Sequence, residues 1–347
     1  MLSLPPGGRS SERMTVRHSS WMQPRLEPAL TLHRRRERDG EPMNDRRLRQ
    51  ELDAGRYVRV APGSFAPRDE FAALVPIDRH YVHVVEALER TRAPVVVSHH
   101  AAAAVWGIDI IGSWPRQIDT TVVGRGGGRS SGEFRRRVVR IDDSEVIPWR
   151  GHHITTPAQT ALDLARVESS TAAVVALDQA LWTRRRGGAL ARLEEIRGVL
   201  ERNAPRRGDA RAAAAVACAT GLSDSVRESQ SRMLIHRLGF PAPLLQQQFL
   251  LAGGRHVRTD FWWESERQAG EFDGVGKYLD PTLLAGRTAQ QALIEEKDRG
   301  DQLRRRVRVV SRWRTPDLDD PRRLWDILTG DGLPSTRPRP PRGLQFG

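Results

Sequence analysis

The chain has 347 residues, 38 % of them hydrophobic and 29 % charged, and a formal net charge of +13. That balance excludes a wholly disordered chain, and no run of about 18 apolar residues is present to cross a bilayer. One cysteine, Cys218, excludes an internal disulfide and a multi-thiolate metal site, so the expected setting is a reducing cytoplasm with no disulfide partner and no membrane contact.

The excess charge is unevenly placed. Residues 1–50 carry a net +5 and residues 184–211 another +5, against −1 over 51–183 and +2 over 212–330. Of the 56 basic residues only Lys277 and Lys297 are lysines, so a position that keeps a compact, tunable ammonium stands out against the arginines.

Residues 1–43 are rich in Pro, Gly, Ser and Arg without apolar periodicity and read as a disordered basic tail, with Met14, Met22 and Met43 as alternative starts. From Asn44, Leu48 and Leu52 at i, i+4 predict a short helix ending at Gly55, and RYVRV with a Pro-Gly turn predicts a β-hairpin. HYVHVVEALERT reads as a helix and PVVVS as a buried strand. Ser98 then reads as the cap of a helix through AAAAVWGI. QIDTTVV and RRRVVRI read as strands joined by GRGGGRSSG, a flexible hairpin connection that lacks the Lys-Ser/Thr ending of a phosphate loop. Thr156 with Pro157 opens a helix, and a second follows through VVALDQALW.

Residues 184–222 read as a basic connector containing one helix. A new unit, residues 223–328, begins with an amphipathic helix bearing Val226, Met233, Leu234 and Leu238, closed by Gly239. Strands in LQQQFLLAG, VRTDFWW and QAGEFDG, a long helix in AQQALIEEKDRGDQLRRR and a strand in VRVVSRW complete an αβββαβ order. That order predicts an α/β domain around one mixed sheet. Residues 329–347 are Pro/Arg-rich and read as a disordered tail.

The chemistry concentrates in this second unit. Asp260 sits within one strand pattern and Glu271 within the next, and unpartnered carboxylates in apolar strands are costly enough to imply cations or a shared metal ion. With Asp273 and Lys277 nearby, the set is oxygen-rich and suited to Mg²⁺ or Mn²⁺, and an ammonium is at hand for a hydrolytic water. The alternative is an inactive scaffold in which Asp260 and Glu271 serve only salt bridges. Lys297, Glu295, Glu296 and Arg299 read as solvated helix charge.

The segments RESQSRMLIHRLGFPAPLLQQQF, RTDFWW, GEFDGVGKY and EEKDRGDQLR, in that order over residues 223–317, resemble the PD-(D/E)xK restriction-endonuclease-like nucleases of the Vsr-like or DUF559 type. The resemblance implies Asp260 and Glu271 as metal-binding acids, Glu228 as the acid on the opening helix, and Gln246 near the site. The lysine expected two residues after Glu271 is Asp273 here, which leaves Lys277 to supply the ammonium.

RRLRQELDAGRYVRVAPGSFAP, VVVSHHAAAAVWGI and ITTPAQTALDLA, over residues 44–183, resemble AbiEi-type antitoxin regulators of type IV toxin–antitoxin systems, in the actinobacterial form that ends in a nuclease-like domain. That resemblance implies an α+β half with a winged-helix-like start. Arg46, Arg47 and Arg49 would face phosphate or groove, and Arg56 and Arg59 would lie on the wing. Residues 25–43 lack a clean preceding helix pair, which implies a truncated DNA-reading module.

Together these readings give a DNA-associated protein of toxin–antitoxin or defence type with a magnesium-dependent endonuclease-like domain and, as partners, DNA and a cognate toxin protein. The alternative is a non-catalytic DNA-binding transcriptional regulator. Elsewhere, His99 and His100 are adjacent on a helix and point apart, Ser98 lacks a base or elbow motif, Trp262 and Trp263 alternate across a strand and read as core, with a substrate face as the alternative for one of them, and Cys218 reads as a small buried hydrophobe.

Overall fold

Three sheets and their covering helices make a mixed α/β fold. The structure, a computed structural model, describes residues 24–344 apart from 26, 35–44, 124–129, 131, 203–204, 252–253, 255 and 275–301. Lys277, Lys297, Glu295, Glu296, Arg299 and most of the long helix expected before the last strand lie outside the described residues.

The chain enters through β1 (His33–Arg34), α1 (Asp45–Asp53), β2 (Tyr57–Ala61) and β3 (Ser64–Pro67), with a small sheet in the order β1-β3-β2. Gly55 takes φ +70°, the left-handed conformation that stops α1 and turns the chain into β2. Part of the segment expected as tail is built into this region. Arg25 donates its backbone N–H to Val105 O at 3.0 Å and pairs with Asp78, while β1 pairs with β3.

Helices α2 (Arg68–Ala73) and α3 (Pro76–Glu89) lead to β4 (Val96–Val97) and α4 (His99–Trp106), every residue of which is buried. Next come β5 (Ile118–Val123), β6 (Phe134–Val139), β7 (Val146–Trp149) and β8 (His152–Thr155), arranged β6-β5-β4-β8-β7. β5 and β6 pair in parallel, from Ile118 opposite Phe134 to Val123 opposite Val139, so their connection is a crossover and not the expected hairpin.

Thr156 caps α5 (Pro157–Val167), its hydroxyl accepting from the Gln159 N–H. Ser169 caps α6 (Ser170–Leu181) in the same way. The expected connector holds two helices, α7 (Leu193–Arg202) and α8 (Asp209–Cys218), and belongs to the first core: Ile196, Val199, Ala212 and Val216 pack with Leu162, Leu164 and Leu177. The last residue of α8, Cys218, is exposed, contrary to its reading as a buried hydrophobe.

The second unit opens with α9 (Val226–Arg237), then β9 (Leu244–Leu250), β10 (His256–Trp263), β11 (Gln268–Phe272) and β12 (Val309–Trp313) in the order β12-β11-β10-β9. β11 and β12 are parallel and the other pairs antiparallel, giving the mixed sheet expected. One face packs Phe261, Trp263 and Trp313 against α9, α10 (Thr315–Asp319) and α11 (Pro321–Gly330). The other carries Trp262, Ala269 and Val257 under Leu303 and Val307. Trp262 and Trp263 are thus both core residues, on opposite faces, as strand alternation demands.

The C-terminal segment expected as a free tail is also docked. Ser335 donates to Leu238 O, Thr336 to Gly239 O, and the Arg337 guanidinium to Arg237 O, all at the end of α9.

Candidate functional site

The acids of the second unit are placed by strand register. Continuing the β10–β11 ladder beyond Phe261 opposite Gly270 brings Asp260 beside Glu271, and continuing β9–β10 brings Gln246 to the other side of Asp260. Gln246 has φ +58°, which breaks the ladder locally, and its Nε2 donates to Glu228 Oε2 at 2.8 Å. Glu228 comes from the first turn of α9. Its carboxylate accepts from the Ser225 hydroxyl at 3.0 Å and the Asp224 N–H at 2.9 Å, while Ser225, the N-cap, accepts from the Glu228 N–H. One side chain therefore both closes the helix start and stands over the strand acids.

Asp260 Oδ2 accepts the Phe272 N–H at 2.9 Å. Burial, reinforced by the Asp260 carboxylate, pushes the Glu228 pKa up to about 7. Gln246 Oε1 is buried with no hydrogen-bond partner. Two carboxylates and an orphaned amide oxygen form a hard-oxygen donor set that fits a divalent cation such as Mg²⁺.

Glu271 and Asp273 face arginines: Arg312 reaches Glu271 at 2.9 Å and Arg314 reaches Asp273 at 3.2 Å. Glu271, expected as the second metal ligand, is thus held by a cation on the neighbouring strand. Among the described residues no group of three His, Cys, Asp or Glu side chains is arranged to hold a metal ion. The residues that could hold a metal ion are Glu228, Asp260 and Gln246, with Glu271 beside them.

On α1, Arg46, Arg47 and Arg49 are exposed while Leu48 is buried, so the basic side of the helix faces solvent. Arg56 is tied to Glu51 at 2.5 Å, and exposed Arg59 on β2 reaches back to Ala61 O at 3.4 Å. Of the five arginines expected at a nucleic-acid surface, the three on α1 are the best presented.

A buried ionic hub in the first unit was not anticipated. Asp119 on β5 receives Arg135 through Nε and Nη2 at 2.6 and 2.8 Å, and Arg137 Nε at 2.8 Å. His100 Nδ1 lies 3.1 Å from Asp119 and its Nε2 3.1 Å from Glu168, so both ring nitrogens face carboxylates. Burial opposes the imidazolium, but the two carboxylates outweigh it and raise the His100 pKa. Asp119 is held far below the usual carboxylate range, its burial outweighed by His100 and the arginines. The legible signal was an acid in one strand, IDTTVV, followed by RRR in the next. Only the parallel register brings the two together.

Next to this hub, Ser98 Oγ lies 3.0 Å from His99 Nδ1, and the same nitrogen lies 4.0 Å from Asp163 Oδ2. Both partners use one ring nitrogen and all three residues are buried, so no nucleophile–base relay reaches substrate. Ser98 is the helix cap by position, yet its hydroxyl makes no cap hydrogen bond.

Of the candidate metal-holding residues, Glu228 lines a cleft of about 600 Å³ between the two units, with Arg227 and Phe272 on its side and Ile110, Ile111 and Trp114 on the other.

No protein-family model matches the chain. Over 146 residues, 42 % of the chain, it is 32 % identical to two uncharacterized proteins of Mycobacterium tuberculosis, from strains CDC 1551 / Oshkosh and ATCC 25618 / H37Rv, covering 52 % of each. The chain thus spans about half the length of the curated relatives it matches.

Proposed function

We propose that the second unit is a metal-dependent phosphodiesterase of the PD-(D/E)xK kind and that the first is a DNA-associated regulatory module of the AbiEi type. The observation that carries the reading is the convergence of Glu228, Gln246 and Asp260 from a helix start and two neighbouring strands, with Glu271 adjoining, at the edge of a cleft.

Asp260, Glu228 and Gln246 Oε1 would hold Mg²⁺ or Mn²⁺, which would supply positive charge for a phosphoryl oxygen. The chain's own groups do the positioning. The Phe272 N–H fixes one oxygen of Asp260, and Gln246 Nε2 fixes one oxygen of Glu228. Arg314, mostly exposed beside Asp273, supplies a cation near the position where related nucleases carry lysine, and Lys277 is the candidate ammonium.

A second reading is favoured by the pairing of Glu271 with Arg312 and of Asp273 with Arg314, which neutralises two of the acids within the protein. On that reading the unit is a scaffold, and the chain is a non-catalytic DNA-binding regulator whose partner would be a toxin protein.

Plasmid nicking with Mg²⁺ separates the two. The phosphodiesterase reading expects cleavage by the wild type and a loss of about 100-fold or more in Asp260→Asn and Glu228→Gln, with a smaller loss in Lys277→Ala. Absence of Mg²⁺-dependent cleavage of plasmid, linear duplex, single-stranded DNA and RNA by the wild type leaves the regulator.

A further inference from the structure

The inter-unit cleft continues into a second cavity of about 430 Å³ lined by Arg79, His80, His83 and Arg116, and the two share Pro76, Gly112 and Trp114. Their chemistry differs. Both walls are mainly apolar, but the 600 Å³ cavity carries the carboxylates of Asp109, Asp224 and Glu228 beside Arg227, whereas the charges of the 430 Å³ cavity are the guanidiniums of Arg79 and Arg116. Trp114 stands at the junction, stacked on His80 with ring centroids 4.9 Å apart and planes 28° apart.

Two observations mark the basic cavity as more than packing. First, Arg79 and Arg116 have no carboxylate partner among the described residues. The Arg79 guanidinium is oriented by the carbonyls of Leu74 and Ala72, at 2.9 and 3.2 Å, which leaves its charge uncompensated. This contrasts with Arg90, Arg135, Arg137 and Arg150 of the same unit, each paired with an acid. Secondly, His80 is 3 % exposed, lines this cavity, and keeps Nε2 without any hydrogen-bond partner. Burial lowers its pKa to about 3, so the imidazole is neutral and can accept a hydrogen bond.

An apolar wall with an aromatic plate, adjoining unpaired arginines, is the pairing that single-stranded nucleic acid requires: bases stack without sequence preference while cations follow the phosphates. Glu228 lines this cleft, which is walled by both units and has a volume of the order that encloses a small ligand, a size matched to the bases of a single strand and not to a base-paired helix. We infer that the channel along Trp114 binds a single-stranded nucleic-acid segment, with a base against Trp114 and the apolar wall and flanking phosphates at Arg79 and Arg116. This rests on the phosphodiesterase reading only for what happens at Glu228 and Asp260; the binding itself needs neither metal nor cleavage.

The test is fluorescence anisotropy on the full chain carrying Asp260→Asn, in EDTA, with a labelled oligothymidylate of about 12 nucleotides and with a duplex of the same length. Arg116→Glu, at an exposed position, and Trp114→Ala are each expected to weaken oligothymidylate binding about 10-fold. Duplex affinity, set by the arginines of α1, should move less than twofold. Trp114→Phe, which keeps a stacking face, should recover most of the loss, and Arg116→Glu answers the question even if Trp114→Ala fails to fold. The inference is overturned if the oligothymidylate does not bind, if Arg116→Glu leaves its affinity unchanged, or if single strand and duplex weaken alike. Strand binding with no cleavage by the wild type would sink the phosphodiesterase reading alone. Cleavage by the wild type together with oligothymidylate affinity that is indifferent to Arg116 and Trp114 would sink this one alone.

Discussion

Arg232 on α9 donates through Nη2 to the buried carboxylate of Asp178 on α6 at 2.7 Å, and this bond ties the two units together. Asp178 also accepts the Thr220 N–H at 2.8 Å, so the same carboxylate anchors the chain between α8 and α9. The walls of the cleft are held in place across this contact. Truncating one partner of a buried pair leaves the other desolvated and uncompensated, so Arg232→Ala should cost about 3 kcal/mol in urea unfolding. Asp178→Asn combined with Arg232→Met removes both charges and should recover much of that loss. Equal destabilisation of the single and double variants would show that the pair is not what holds the interface.

His100 sets a pH dependence whose sign follows from its raised pKa. The stabilisation it contributes is fully present below its unfolded value near 6.5 and is lost as pH rises through the higher folded value. Asp119 acts oppositely: its depressed pKa contributes stability that is full above the ordinary Asp range and lost as pH falls toward the folded value. Denaturant unfolding from pH 6 to 9 should therefore show a fall in wild-type stability that is absent in His100→Gln. Parallel profiles for the two proteins would remove His100 as the origin.

Gly270 is a packing requirement. A Cβ at this position on β11 would lie 2.7 Å from the Trp313 ring and 3.0 Å from the Trp263 ring. Both indoles are locked, Trp313 by donation to Ser231 Oγ and Trp263 by donation to Pro241 O, each at 2.8 Å. Gly270→Ala should cost about 1–3 kcal/mol by overpacking, read as a lower urea midpoint with an unchanged slope. A midpoint within error of wild type would mean that the rings shift freely.

The arginines of α1 should act through phosphates alone. Replacing Arg46, Arg47 and Arg49 with Ala should weaken duplex binding to every sequence about equally and flatten the slope of log K against log salt by about 3. Arg56→Ala should do less, because its guanidinium is already engaged by Glu51. An unchanged salt slope in the triple variant would place the DNA surface elsewhere.

The local elements were written in the sequence because their causes are local. Gly55 stops a helix, Thr156 and Pro157 start one, and alternation in VRTDFWW sends its two tryptophans to opposite faces. The acids of the second unit were legible for the same reason, since a carboxylate within an apolar strand is conspicuous wherever the strand goes. What the sequence could not decide is which cation answers which acid. Arg312 meets Glu271 because β12 lies parallel to β11, and Arg135 meets Asp119 because β6 lies parallel to β5, pairings set by sheet order and register over long separations. Nor could it decide that helices of residues 184–222 pack into the first core instead of linking two domains, because short helices bury their faces only against a partner that tertiary structure supplies. Composition and short-range patterning determined the elements and the candidate acids. The partners of those acids, and the channel beside them, were decided by how two sheets and their helices pack.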